Sequence, residues 1–306
     1  MLEIKEPTVL THSNVPGWEY VSRVPTFALR SSIRLYSGYY QNTEQPVCRL
    51  QAPSGHVMLV LGFGSDMKIR QIGSGVDSGI NSGVNQSFVA GLEAQPLLRE
   101  HDGERYCIAI ALPPWVAYRL FQGAATEFVQ EVVALEDIWD DADRLVEQLS
   151  EQSSWTQRFA LVDRLLKEKL FASQHLVRPE IRWAWNQLEA QGGCILIRQL
   201  ARTIGWSNRY FARQFQEQTG VTPKAAARQM RFAQAYRLLR TSNNHTLSEI
   251  ALDCGYSDQS HFTREFHAFC GCAPNTFQKA KAAVADFPGL PGEPGVPGEM
   301  VRDIDE

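Results

Sequence analysis

The chain has 306 residues, 44% of them hydrophobic, enough for two domains with ordinary apolar cores and no covalent staples. Its six cysteines (Cys48, Cys107, Cys194, Cys254, Cys270, Cys272) form no CxxC pair and no ligand-spaced cluster with histidine, which argues against a disulfide framework or a zinc finger. The net charge of −4 conceals an asymmetry: residues 180–281 carry 13 Lys and Arg against 7 Asp and Glu, residues 1–179 carry 16 against 21, and residues 282–306 carry 1 against 6. The N-terminus, MLEIKEPTVL, lacks a basic start followed by an apolar run, and no stretch of about 18 apolar residues occurs. Secretion and a membrane span are therefore disfavoured, and a cytoplasmic protein with reduced thiols is expected.

Up to about residue 119 the pattern is short apolar runs punctuated by Gly, Pro, Ser and Asn. Residues 56–63 (HVMLVLGF), 67–72 and 106–112 (YCIAIAL) read as strands, with GSGVDSGINSG supplying turns between them. A β-rich barrel or sandwich is expected over residues 1–114. Pro113 and Pro114 close the last strand, and a helical connector over residues 115–177 follows. In its longest helix, residues 157–171, Phe159, Val162, Leu165, Leu166 and Leu170 recur at intervals of three and four and mark one apolar face. This connector is a candidate dimerisation surface. Residues 282–306 contain FPGLPGEPGVPGEM, with too few Gly triplets for collagen, and read as a flexible tail.

Between these segments, residues 178–281 hold a pattern written twice. Ala201, Gly205, Trp206, Ser207, Phe211, Arg213, Phe215, Gly220 and Pro223 recur as Ala251, Gly255, Tyr256, Ser257, Phe262, Arg264, Phe266, Gly271 and Pro274, with one residue inserted between Ser257 and Phe262. Each unit has a short helix, a Gly-aromatic-Ser turn and a second helix, which is the layout of a helix-turn-helix module. In the second helix of the first unit, Ser207 is the expected N-cap and Phe211 and Phe215 share the buried face. Arg209 and Arg213 stand about 200° around from them and face outward. In the second unit Phe262 and Phe266 face inward, while Ser260 with Arg264 and Gln259 with Thr263 face outward. Arg and Gln match guanine and adenine edges, and a helix exposing them near its N-terminal half suits a major groove. The segment 223–239 (PKAAARQMRFAQAYRLL) reads as a helix with Pro in its first turn, spacing two recognition helices for successive grooves. Lys224, Arg228, Arg231 and Arg237 are candidate phosphate contacts, Arg231 with an alternative as a structural ion-pair partner.

These residues resemble the DNA-binding domain of the AraC/XylS family of bacterial transcription regulators over about 100 residues. Arg231, Ala235, Leu238 and Leu239 match the family's R-x-x-x-A-x-x-L-L, residues 249–271 (EIALDCGYSDQSHFTREFHAFCG) match its more constant second half, and Gly271, Pro274 and Phe277 agree. Gln278 departs from the family's usual Arg. The resemblance implies that Asn208, Arg209, Ala212 and Arg213 in the first unit, and Gln259, Ser260, Thr263 and Arg264 in the second, meet DNA, with Ala212 offering only methyl contact.

It further implies an α+β chain with a β-rich, cupin-like sensor ahead of an all-α double helix-turn-helix domain. The implied partners are double-stranded promoter DNA, RNA polymerase, a small-molecule effector and a second copy of the chain, and activation is the commoner mode. No cofactor, metal or catalytic residue is expected: His12, His56 and His101 are isolated, without the cupin His-x-His signature. Trp18, Tyr36, Tyr39 and Tyr40 are core or rim residues or the lining of an effector pocket, and no effector-binding residue is assigned. The alternative is a DNA alkylation-repair methyl acceptor with an AraC-like domain, which requires an activated thiolate; no cysteine has the neighbours for one.

Overall fold

The computed structural model describes residues 8–15, 17–51, 53, 55–65, 67–71, 87–92, 97–124, 127, 129–241, 245–283 and 299–301. The Gly-rich turn segment 73–83 and most of the Pro/Gly tail lie outside the described residues. Among the described residues an antiparallel sheet has nine strands, all but the last from the first part of the chain: β1 (Val9–Val15), β2 (Trp18–Arg23), β3 (Tyr36–Gln51), β4 (Val57–Gly64), β5 (Met67–Gln71), β6 (Phe88–Ala90), β7 (Leu97–Leu112), β8 (Val132–Ala134) and β9 (Glu299–Val301). Its main path is β1-β2-β3-β7-β4-β6-β8, with β5 on β7 and β9 on β3. The expected strand at residues 106–112 is the end of the much longer β7, which holds β3 along one edge and β4 and β5 along the other.

Side-chain alternation gives this sheet two apolar faces. Val57, Leu59, Leu61 and Phe63 of β4 join Ile108, Ile110 and Leu112 of β7 in the main core. Met58 and Val60 turn the other way and cluster with Met67, Ile69, Phe88, Ala90 and Val132, against which Cys107, Ala109 and Ala111 pack. With both faces covered, the β4 sequence VMLVLGFG reads as a continuous apolar run rather than an alternating one.

Helices α1 (Pro114–Leu120), α2 (Ala142–Glu151) and α3 (Trp155–Ala172) cover the first face. Pro114 sits in the first turn of α1, where its missing N–H costs nothing. The Ser154 hydroxyl caps α3 by accepting from the Gln157 N–H. Buried Phe159, Val162, Leu166 and Leu170 form the inner stripe of α3, while Leu165, expected among them, is half-buried at its edge. Asp163, 5% exposed, accepts hydrogen bonds from the Thr26 N–H (2.9 Å), the Thr26 hydroxyl (2.6 Å) and the Tyr36 hydroxyl (3.0 Å). It ties α3 to β3 and to the loop between β2 and β3. Gly38 permits the close approach: a Cβ there would lie 2.7 Å from Cζ3 of Trp155 and 2.8 Å from Cγ2 of Val21.

The second part is helical: α4 (Pro179–Ala190), α5 (Ile197–Thr203), α6 (Asn208–Thr219), α7 (Pro223–Thr241), α8 (Leu247–Asp253), α9 (Gln259–Cys270) and α10 (Pro274–Ala283). The main core runs without interruption from the sheet through α1–α3 into α4, α5, α6 and the start of α7, where it ends at Ala226, Ala227 and Met230. A separate core holds Phe232, Ala235, Tyr236 and Leu239 of α7 with Ile250, Phe262, Phe266 and Phe277. Among the described residues no helix is long and apolar enough to cross a membrane.

Replacing Gly38 by Ala is expected to overpack the contact with Trp155 and cost about 1–3 kcal/mol in urea unfolding. Asp163→Ala, which strips one buried and two half-buried donors of their acceptor, is expected to cost about 1.5–3 kcal/mol. Phe211→Ala and Phe266→Ala should each cost about 3–5 kcal/mol; unchanged stability would show that the buried faces of α6 and α9 are misassigned.

Candidate nucleic-acid interface

Both helix-turn-helix units form where the duplicated pattern places them. In the first, α5 ends before Gly205, which takes φ +75°. The Ser207 hydroxyl then caps α6 by accepting from the Tyr210 N–H at 3.3 Å. In the second, Thr246 and Glu249 make a reciprocal capping box on α8, and Gly255 turns at φ +72°. The cap of α9 is not the aligned serine but Asp258, whose carboxylate accepts from the His261 N–H at 2.7 Å. That bond, helped by the Ser257 hydroxyl, holds the Asp258 carboxyl below its ordinary range. Each second helix ends on a left-handed glycine, Gly220 at φ +83° and Gly271 at φ +71°, and a proline three residues further on opens the next helix.

Phe211, Phe215, Phe262 and Phe266 are all 0% exposed, so the inward faces are as the spacing predicts. On the outward side Asn208, Arg209 and Arg213 are exposed and Ala212 is half-buried. Gln259, Ser260 and Arg264 are exposed and Thr263 is half-buried. With Asp258 these last four line a shallow concavity of about 440 Å³ at the start of α9. Each outward set therefore lies on its own helix, at the end where the unpaired N–H groups favour anions.

Contacts between elements refine two of these side chains. The Arg213 guanidinium lies 5.4 Å from the centre of the Tyr210 ring, and Tyr210 meets Trp206 edge-on at 4.9 Å. An aromatic platform thus orients the arginine. The Ser248 hydroxyl on α8 donates to Oε1 of Gln259 at 2.7 Å, which occupies an amide acceptor and directs the amide N–H₂ elsewhere. Tyr210 lies three residues before Arg213, so that pair is legible from helical spacing. Ser248 and Gln259 are on different helices and carry no such signal.

Two of the four candidate phosphate contacts are engaged within the protein. Arg228 pairs with Glu265, Nε to Oε1 at 2.6 Å. Arg231 donates to the Gly193 carbonyl at 3.0 Å, the structural alternative foreseen for it. Arg237 lines a cavity between the sheet and the helical domain. Arg228 and Arg231 are half-buried, whereas Lys224, at the first turn of α7, and Arg237 are exposed. Of the aromatic residues singled out near the N-terminus, Tyr36 is in the core against Phe159, and Tyr40 meets the Tyr106 ring at a tilt, 4.6 Å between centres. Trp18 and Tyr39 line the same cavity as Arg237. His56 pairs with Glu189 across that cavity at 3.5 Å, and no metal-binding cluster occurs among the described residues.

Residues 200–280 match the family model described as a helix-turn-helix domain. The HTH-type transcriptional activator RhaS of Salmonella arizonae is 32% identical over 85 residues, which are 28% of this chain and 30% of that protein. The chain thus spans less than a third of the length of such curated relatives. Among solved structures, a transcriptional regulator with an AraC-type DNA-binding domain from Chromobacterium violaceum is 24% identical, covering 36% of this chain and 96% of that one at a TM-score of 0.32. ToxT from Vibrio cholerae is 12% identical, covering 80% and 97%, at a TM-score of 0.43. The paired units of α5–α6 and α8–α9 and the matched sequence over residues 200–280 together make this part of the chain a helix-turn-helix domain similar to that of RhaS.

Proposed function

We propose that the protein is a sequence-specific transcription regulator that inserts α6 and α9 into successive major grooves of promoter DNA under the control of its N-terminal β-rich domain. The observation that carries this reading is the pair of outward polar rows, Asn208, Arg209, Ala212 and Arg213 on α6 and Gln259, Ser260, Thr263 and Arg264 on α9. Both rows are free of the core and both stand at capped helix starts. The local excess of Lys and Arg over residues 180–281 supplies the long-range attraction to phosphate.

Arg213, steadied on Tyr210, is suited to the bidentate guanine contact. Gln259 differs from the adenine reader expected of a free glutamine. With one lone pair of Oε1 taken by Ser248, its amide N–H₂ is the group left with no such partner, and as a donor it matches guanine O6 and N7, adenine N7 or thymine O4. RhaS is named a transcriptional activator, which supports activation, with RNA polymerase as partner, over simple occlusion. The same reading divides the chain into a sensor (1–114), a helical connector used for dimerisation (115–177), the DNA-binding domain (178–281) and a tail, working in the cytoplasm. Alkyl transfer to a cysteine finds little support: burial pushes the Cys254 thiol up to about 12 and raises those of Cys107 and Cys270.

Gel retardation of the protein's own upstream DNA is expected to show a complex whose affinity falls steeply with salt, by about 0.9 log units per log unit of salt for each phosphate contacted. Absence of any complex at low salt would overturn the reading. Arg213→Ala should cost about 1–3 kcal/mol and relax one base preference; a uniform loss on all sequences would demote it to a phosphate contact. Ser248→Ala, although it touches no DNA in this scheme, should alter preference at the same base pair as Gln259→Ala when both are profiled on a randomised operator.

A further inference from the structure

The segment that leads into α5 is held between α7 and the second helix-turn-helix unit. Arg231 of α7 donates to the Gly193 carbonyl at 3.0 Å, and Gly193 takes φ +77°. A Cβ on Gly193 would overlap the Ala227 carbonyl oxygen and one on Gly192 the Gln234 amide oxygen, so this segment lies directly on α7. The next residue, Cys194, meets the second unit. A Cβ on Gly255, in the turn between α8 and α9, would lie 2.7 Å from Sγ of Cys194 and 3.7 Å from its Cβ. The residue before Gly255 is Cys254, the C-cap of α8. Two cysteines from different units thus stand on either side of one bare glycine.

Their environments suit consecutive steps of an oxidation. Cys194 is exposed, whereas Cys254 is 0% exposed within the core under α9. Of the other cysteines whose side chains are described, Cys107 is half-buried and Cys270 and Cys272 are buried, so Cys194 is the thiol open to solvent. Burial raises the Cys254 thiol, and the Cys194 thiol, next in effect, raises it further. An exposed thiol meets an oxidant first, and a buried neighbour held in its protonated form is spared until the first has reacted.

We propose that Cys194 and Cys254 are a dithiol that hydroperoxides convert to a disulfide, tying the segment before α5 to the turn of the second unit. The Cys194 thiolate attacks the peroxide, the O–O bond breaks, hydroxide or alkoxide leaves, and Cys194 becomes a sulfenic acid. The Cys254 sulfur then attacks the Cys194 sulfur and gives up its proton, the S–OH bond breaks, and water leaves. The thiol pair loses two electrons and the peroxide gains them; with hydrogen peroxide the only other product is water. Closing the bond draws the Cys194 sulfur away from Gly255 and turns the Cys254 sulfur out of its core. Both movements fall on the turn that sets where α9 begins, so oxidation weakens the grip on DNA. That consequence rests on the DNA-binding reading; the bond itself does not.

The test is treatment of the folded full chain with hydrogen peroxide, followed by alkylation in denaturant, mass spectrometry and peptide mapping. One linkage, Cys194 to Cys254, is expected, with a mass loss of about 2 Da that dithiothreitol reverses. The same treatment in urea should scatter linkages among the six cysteines. Cys194→Ser, at an exposed position, should abolish the linkage, and Cys254→Ala should leave a sulfenic acid on Cys194 that dimedone traps. No linkage, a linkage that omits either residue, or one equally frequent in urea would overturn the proposal. In gel retardation the oxidised protein is expected to bind its upstream DNA about fivefold or more weakly, with affinity restored by dithiothreitol and the loss absent from Cys194→Ser. The linkage with unchanged DNA affinity would overturn the consequence for DNA. No complex even from the reduced protein would overturn the DNA-binding reading and leave the dithiol standing.

Discussion

One helix belongs to two cores, and the rest of the molecule is arranged around that fact. The first half of α7 gives Ala226, Ala227 and Met230 to the core that begins in the sheet; the second half gives Phe232, Ala235, Tyr236 and Leu239 to the core under α9. A helix buried at both ends by different partners cannot follow one without disturbing the other, because packed interiors do not deform continuously. The distance and rotation between α6 and α9 are therefore properties of α7. Arg228 to Glu265 and Arg231 to the Gly193 carbonyl fasten its polar positions to both sides.

The same helix connects the sheet to the outward rows of α6 and α9. The first helix-turn-helix unit shares its core with α1–α3, and α1 packs on α6. The second unit is reached mainly through α7, with Gly255 also close to Cys194 in the segment between α4 and α5. The parity of β7 places Ile108, Ile110 and Leu112 against the helices and Arg105, Cys107, Ala109 and Ala111 toward the cavity. A single strand thus serves as structural support on one face and as cavity lining on the other. Asp163 anchors the loop between β2 and β3, which supplies Arg30 and Arg34, to α3, so that this wall is attached to the main core as well.

Legibility differed sharply between the two halves. The helical half was legible almost to the residue: Ser207 caps α6, the four phenylalanines are buried, Gly220 and Gly271 end their helices, and Arg209, Arg213, Gln259, Ser260 and Arg264 are exposed. Helical faces, caps and glycine turns are local, set by neighbours three and four residues away. In the β half the strands at 57–64 and 67–71 were visible as apolar runs, whereas β1, β2, β6, β8 and most of β3 and β7 were not. β3, with its run YSGYYQNTEQPVCRLQ, has little apolar alternation, and its place is fixed by thirteen register pairs with β7 rather than by its own composition.

The amino-acid sequence by itself determined the duplicated modules, their buried and outward faces, and the division between an acidic first part and a basic second part. Those features depend on side-chain type and short-range spacing, which survive without knowledge of what lies across the chain. Only the tertiary structure decided which outward residues are oriented and which basic residues are spent. Ser248 occupies the acceptor of Gln259 from another helix, and Glu265 engages Arg228 from a position 37 residues away. Arg237, which by spacing could as well face phosphate, stands in the wall of a cavity whose other side is a β-sheet. Each of these depends on contacts between elements distant in the chain, and the physical reason is the same in all three. A charge or an amide has no fixed role until its nearest partner is in place, and that partner is chosen by packing.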